Sequence, residues 1–142
     1  MDNKTFKFST TIEVRIGDIN YGNHMSNESF IQFFQEARLR YLAQFNFSEV
    51  NLNDSTGIIL TEVFCELKAE AFYGDSLTVF VRVSEMKKAR FRMEYEIFRE
   101  KDQKVIAKGY TIKAAFDYQK RKPVALPLYF KEIIGNYEKL VF

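Results

Sequence analysis

The sequence predicts an α+β fold in which one long helix lies against one antiparallel sheet. Three observations predict it. Apolar residues recur at three- and four-residue spacing from Glu28 to about Phe45, which gives a helix with a single apolar face. Before and after that stretch the apolar residues alternate with period two, the mark of a strand with one buried face. The later strands are joined by short polar turns, and connections that short favour antiparallel neighbours. A helix with one apolar stripe on such a sheet is a two-layer arrangement around a shared core.

Each element has its own reason. Phe6, Phe8, Thr10, Ile12, Val14 and Ile16 share one parity and mark the first strand. The polar run from Gly17 to Asn27 reads as a turn. Phe30, Phe33, Phe34, Ala37, Tyr41 and Phe45 make the apolar face of the helix. Ser26 or Asn27 is the expected N-cap, because a short polar side chain accepts a hydrogen bond from the free amides of a first turn. Glu28 sits where the helix dipole favours negative charge. Ile58 to Glu70 is the second strand, and Phe72-Tyr73-Gly74-Asp75 is a turn. Leu77, Val79, Val81 and Val83 form the next alternating face, with Lys87 and Lys88 in a hairpin connection. Phe91, Met93, Tyr95 and Ile97 then alternate with Arg92, Glu94 and Glu96. Lys101-Asp102-Gln103 is a further turn and Val105 to Phe116 the last long strand. A short helix is expected after Pro127, since proline is tolerated in a first helical turn.

Composition bounds the function. A chain of 142 residues fits one domain spanning 1–142. Its 21 basic and 19 acidic residues are too balanced for a nucleic-acid footprint. With one cysteine, Cys65, no intramolecular disulfide forms, which suits a reducing compartment. That cysteine lies within a strand and is expected to be buried and inert. Met1 to Thr10 lacks the apolar core of a signal peptide, and no apolar run approaches the about 18 residues of a membrane span. The chain reads as a complete cytoplasmic protein. Its 15 Phe and 8 Tyr suit a large core, an interface or an acyl-binding slot.

The segment Arg15-Ile16-Gly17-Asp18-Ile19-Asn20-Tyr21-Gly22-Asn23-His24-Met25-Ser26-Asn27 resembles the signature of the 4-hydroxybenzoyl-CoA thioesterase-like family, D-x-D-x-x-G-H-V-N-N. Phe30 takes the place of an aromatic in the following helix, and Glu36-Ala37-Arg38 matches the family's E-A-R. Tyr73-Gly74-Asp75, Lys122-Pro123 and Leu126-Pro127 also match, so the likeness spans nearly the whole chain. The resemblance implies a hotdog fold, a curved antiparallel sheet wrapped around the long helix. It also implies a homodimer or homotetramer with sites at subunit interfaces. The substrates would be acyl thioesters of coenzyme A or acyl carrier protein, and no cofactor is implied.

Thioester hydrolysis needs a donor for the developing oxyanion and a group that activates water or attacks the carbonyl. A helix N-terminus supplies the donor through its unpaired amides. By resemblance this is the amide of Asn27 or a close neighbour, with Tyr21 and Asn23 of the same turn taken as substrate-contacting positions. The family's usual catalytic carboxylate, the second Asp of D-x-D, is here Asn20. An amide only holds a water or a carbonyl by hydrogen bonds.

Three replacements remain open. Glu36 and His24 match the helix Glu and the His of plant acyl-ACP thioesterases, although the Asp and Asn of that set fall on Asn20 and Gly22. Against this, Glu36 can simply pair with Arg40, four residues on. Asp18, which in the family mostly supports the turn, is the second option. In the third, Asn20 and His24 position water. His24, the sole histidine, can carry a proton near neutral pH, or it can order the turn. With one His and one Cys no metal site is expected. Two rival readings stay open: a hotdog enoyl-CoA hydratase, whose G-D-x-N-P-x-H motif is matched only by Gly17-Asp18-Ile19-Asn20, and a non-catalytic acyl-CoA or acyl-carrier binding protein.

Overall fold

The computed structural model describes residues 5–52 and 54–140. Met1–Lys4, at the start of the segment scanned for a signal peptide, lie outside the described residues. The elements follow in the order β1 (Phe8–Glu13), α1 (Asn27–Ala43), β2 (Thr56–Leu67), β3 (Ser76–Met86), β4 (Arg90–Arg99), β5 (Lys104–Asp117), β6 (Lys122–Pro123) and α2 (Leu128–Glu138). The period-two and helical readings thus match the observed elements, with ends shifted by a few residues. β6, a two-residue strand on the end of β5, was not anticipated; two residues are too few to show a period.

All pairings are antiparallel, and the sheet order is β1-β3-β4-β5-β2. The two strands that flank α1 therefore occupy opposite edges of one sheet. The chain between them has to cross the whole sheet, and α1 makes that crossing over the concave face. This is the α+β hotdog arrangement, a curled antiparallel sheet around a helix.

The crossing explains the aromatic stripe. Phe30, Phe33, Phe34, Ala37, Tyr41 and Leu42 are all buried beneath α1. One row of the sheet under them reads Phe8, Val81, Tyr95, Gly109 and Cys65 from edge to edge. Tyr41 meets Phe8 edge-on at 5.5 Å between ring centres, and Phe34 stacks on Tyr95 at 4.4 Å. Such pairs add about 0.5–1.5 kcal/mol beyond burial alone. The Tyr41 hydroxyl donates to Glu138 of α2 at 2.6 Å, and the same carboxylate oxygen accepts the Val83 amide at 3.0 Å. Val83 borders a register shift in β3, so Glu138 satisfies an amide next to the irregularity. The helix stops before Asn46, which holds a left-handed conformation (φ 63°) that a short polar side chain tolerates.

Gly109 lets β5 pass beneath Phe34. A Cβ there would lie 2.1 Å from the Phe64 carbonyl oxygen and 2.8 Å from the Phe34 ring. Gly109→Ala is expected to destabilise the fold by about 3 kcal/mol, as overpacked cores do. That corresponds to a fall of about 10 °C in the thermal midpoint for a chain of this size. A melt within 2–3 °C of wild type, on the order of one kcal/mol or less, would contradict this packing.

Candidate active site at the start of the long helix

The polar run before α1 is a closed loop tied down at both ends. Val14 N–H donates to the Asp75 carbonyl at 2.8 Å, and Gly74 N–H returns to the Val14 carbonyl at 2.8 Å. Met25 N–H donates to the Ala71 carbonyl at 2.8 Å. Segment 71–75 therefore holds the loop where it leaves β1 and where it enters α1. Asp75, in turn, is buried and fixed. Its carboxylate accepts the Phe72 amide at 2.9 Å and pairs with buried Arg99 at 2.7 Å. Arg99 also donates to the Glu70 carbonyl and to Asp102.

Within the loop, Asp18 is buried, and its carboxylate accepts the Arg15 amide at 2.9 Å. Its backbone carbonyl accepts Ser26 N–H at 2.9 Å, which closes the loop across Ile19 and Met25. Asn20 folds back on itself: its side-chain oxygen accepts Gly22 N–H at 2.9 Å. Asn23 takes a left-handed conformation (φ 64°), and Tyr21 is fully exposed. The His24 ring lies over Gly22, where an added Cβ would come within 2.9 Å of it. Any side chain at position 22 would push the imidazole aside.

Ser26 is the N-cap residue, as expected, but its hydroxyl caps nothing. It pairs with the Ser29 hydroxyl at 2.8 Å. The Ser29 amide is satisfied by the Ser26 carbonyl at 3.1 Å. The first two amides of α1, at Asn27 and Glu28, have no acceptor among the described residues and sit at the positive end of the helix dipole.

Two adjoining hollows open there, sharing Asn27 and Leu67. One, of about 260 Å³, is lined by His24, Asn27, Phe30, Leu67 and Lys68, among others. The second, an open groove of about 520 Å³ between α1 and β2, is lined by Asn27, Glu28, Ile31, Cys65 and Leu67. Cys65 is half-buried at this groove rather than sealed in the core, because it points from an edge strand. Burial pushes its thiol up to about 11, so it stays protonated at neutral pH.

Glu36 lies elsewhere. From Asn27 the helix rises about 14 Å and makes about two and a half turns to reach it, so the two residues face opposite ways. Glu36 pairs with Arg40 at 2.9 Å, and Arg40 also holds Thr10 and the Thr11 carbonyl of β1. Glu36 shares a third hollow with Asp18, lined also by Glu13, Arg15 and Phe33. The candidates thus divide into His24 with Asn27 on one side, and Asp18 with Glu36 on the other. Among the described residues no group of three or more His, Cys, Asp or Glu side chains is placed to hold a metal. No helix among them is long and apolar enough to cross a membrane. Ile31, Cys65 and Leu67 carry no motif that marks them as groove residues; the parity of β2 could have found Cys65 and Leu67, and helical spacing from Asn27 could have found Ile31.

Residues 14–134 match the model of the thioesterase-like superfamily, and the chain belongs to it; by class it is a thioester hydrolase. The acyl-CoA thioesterase YbgC of Haemophilus influenzae is 28% identical over 135 residues, covering 94% of this chain and 96% of that protein. A DHNA-CoA thioesterase from Staphylococcus aureus superposes with a TM-score of 0.80 at 25% identity, covering 92% of this chain and 88% of that one. A Staphylococcus aureus protein solved in complex with CoA gives 0.84 at 20% identity, over 93% and 84% of the two chains.

The Asp75–Arg99 pair is expected to govern the stability of the site loop. Burial acts to raise the Asp75 carboxyl, but the Phe72 amide and the Arg99 guanidinium hold it below the usual carboxylate range. Its contribution is therefore complete above the unfolded carboxylate value of about 4 and is lost as pH falls through the lower folded value. Asp75→Ala is expected to cost about 2 kcal/mol at pH 7, since it removes one of the two carboxylates that hold the buried Arg99 guanidinium and leaves Asp102. The gap in thermal midpoint between wild type and variant should be constant from about pH 8 to pH 5 and close below about pH 4. A gap that widens on acidification would refute this assignment.

Proposed function

We propose that this protein hydrolyses acyl-CoA thioesters, with the thioester carbonyl oxygen held by the free amides of Asn27 and Glu28. The observation that carries this reading is the uncapped helix start: Ser26 turns its hydroxyl to Ser29 and leaves both donors open. A developing oxyanion there gains two hydrogen bonds and the helix dipole without any reorganisation. Water adds to the carbonyl carbon, the carbon–sulfur bond breaks, and the thiolate leaves and takes up a proton.

The water is activated by His24. It lines the same hollow as Asn27, whereas Glu36 is paired with Arg40 on the opposite side of α1. Asn20 shapes the turn beneath His24 through its bond to Gly22, and Asp18 holds the turn closed. The acyl group runs along the groove between α1 and β2. Coenzyme A is the carrier this reading favours, because the relative from Haemophilus influenzae that matches almost end to end is an acyl-CoA thioesterase.

The active unit is a homodimer joined along β2. That strand is a free edge of 12 residues and exposes Leu60, Val63, Phe64 and Leu67. A long apolar edge is an aggregation hazard unless another strand covers it. A second copy there would also roof the groove. A monomeric mass in sedimentation would remove this part of the reading.

Asn27→Pro isolates the oxyanion donor. Proline is well tolerated at a first helical position, and Ser26 already has the extended backbone (φ −74°, ψ 158°) that precedes proline. The variant should fold normally and lose about 10²–10³-fold in kcat, as when one oxyanion donor is removed. His24→Ala should lose activity to a similar degree, and Glu36→Ala should stay within about threefold of wild type, with thiol release from acyl-CoAs as the assay. An unchanged kcat in Asn27→Pro would exclude the Asn27 amide as an oxyanion donor. Saturable acyl-CoA binding without thiol release would favour the non-catalytic reading.

A further inference from the structure

Further along β2 and β5 from the groove lies a buried charge cluster that the hydrolysis reading does not use. The groove floor and its continuation follow β2 and β5 in register: Leu67 beside Ala107, Cys65 beside Gly109, Val63 beside Thr111 and Leu60 beside Lys113. Val63 and Leu60 are 43% and 45% exposed, so the apolar strip along β2 continues past the groove residues Leu67 and Cys65. At the Leu60 end, Lys113 Nζ lies 2.7 Å from Glu49 Oε2, and Arg38 Nε lies 2.8 Å from the same oxygen. Arg38 also donates to the Tyr95 hydroxyl at 3.0 Å, which pairs with Thr111 at 2.7 Å. Arg38 and Lys113 are each 4% exposed.

Two buried cations therefore share one carboxylate. Among the described residues no second acid pairs with either. Pinning the Glu49 loop to the sheet needs one cation only. A second buried positive charge without its own anion is costly, and a single partner anion would relieve it. Burial and the nearby Arg38 charge both lower the Lys113 ammonium, as expected for a cation in want of an anion. From Asn27 to Arg38 α1 rises about 16 Å, and the arginine side chain leans back toward the N-terminus and shortens the gap. A medium-length acyl chain would bridge it.

We propose that Arg38 and Lys113 form the far end of the acyl site and receive an acyl group that terminates in a carboxylate. The direction of the acyl group rests on the oxyanion reading above. Matched thioesters test it: octanoyl-CoA against suberoyl-CoA, and decanoyl-CoA against sebacoyl-CoA, each pair differing only in a terminal methyl or carboxylate. In the wild type, kcat/KM for a dicarboxylic member should exceed its partner's by about tenfold, the value of one charge-assisted hydrogen bond. Lys113→Met, which keeps the apolar stem, should erase that preference. Equal or better turnover of the monocarboxylic thioester in both pairs would overturn the proposal, as would a preference that survives Lys113→Met. If no thioester releases thiol, hydrolysis fails, and the subsite is still decided by thermal shift with the free acids. Suberate or sebacate should then stabilise the wild type more than octanoate or decanoate. An equal shift, or none, would overturn it.

Discussion

β1 and β2 lie at opposite edges of one antiparallel sheet, and the residues between them must cross its concave face. Nearly everything else follows from that constraint. A segment that crosses a sheet away from water must satisfy its own backbone, so it is a helix. Its inward face must be filled, hence the stripe from Phe30 to Tyr41 and the stacking of Phe34 on Tyr95. Where the ring of Phe34 comes closest, β5 carries a glycine. The crossing also leaves β2 with α1 alongside it and no strand beyond, so an apolar groove opens at the edge.

The same crossing fixes where a helix can begin. α1 starts at the end of a loop latched to segment 71–75 by Met25 and closed by Asp18. Rigid placement matters because an uncapped helix start acts on a substrate only if its amides already point at the reacting oxygen. The ion pair between Asp75 and Arg99 lies two steps from the site, yet it holds the segment to which the loop is tied. Ser26 and Ser29 then shape the helix start locally. By bonding to each other they leave the Asn27 and Glu28 amides free.

The fold was largely legible in the sequence because its signals are periodic. The stripe from Phe30 to Tyr41 and the alternation from Phe91 to Ile97 need no tertiary knowledge. The site was legible only in outline. The turn residues announced a site by their polarity, but a sequence cannot show that Ser26 caps nothing, or that Asn20 bends back to Gly22. Helical spacing alone sets Glu36 about two and a half turns from Asn27, but only the fold shows that His24 shares a hollow with Asn27. Arg38 showed only as part of the Glu36-Ala37-Arg38 match. It lies at the edge of the apolar stripe, and its burial depends on Glu49 and Tyr95 from distant parts of the chain.

The central claim is that the free amides at the start of α1 polarise the thioester carbonyl. Infrared difference spectroscopy of a bound thioester with an isotope-labelled carbonyl reads that directly, using a slowly hydrolysed acyl-CoA or a short time window. The account expects the carbonyl stretch of the bound ester to fall below its frequency in water, as two aligned donors lengthen the bond. A stretch at or above the aqueous value would place the carbonyl away from Asn27 and Glu28 and contradict the account.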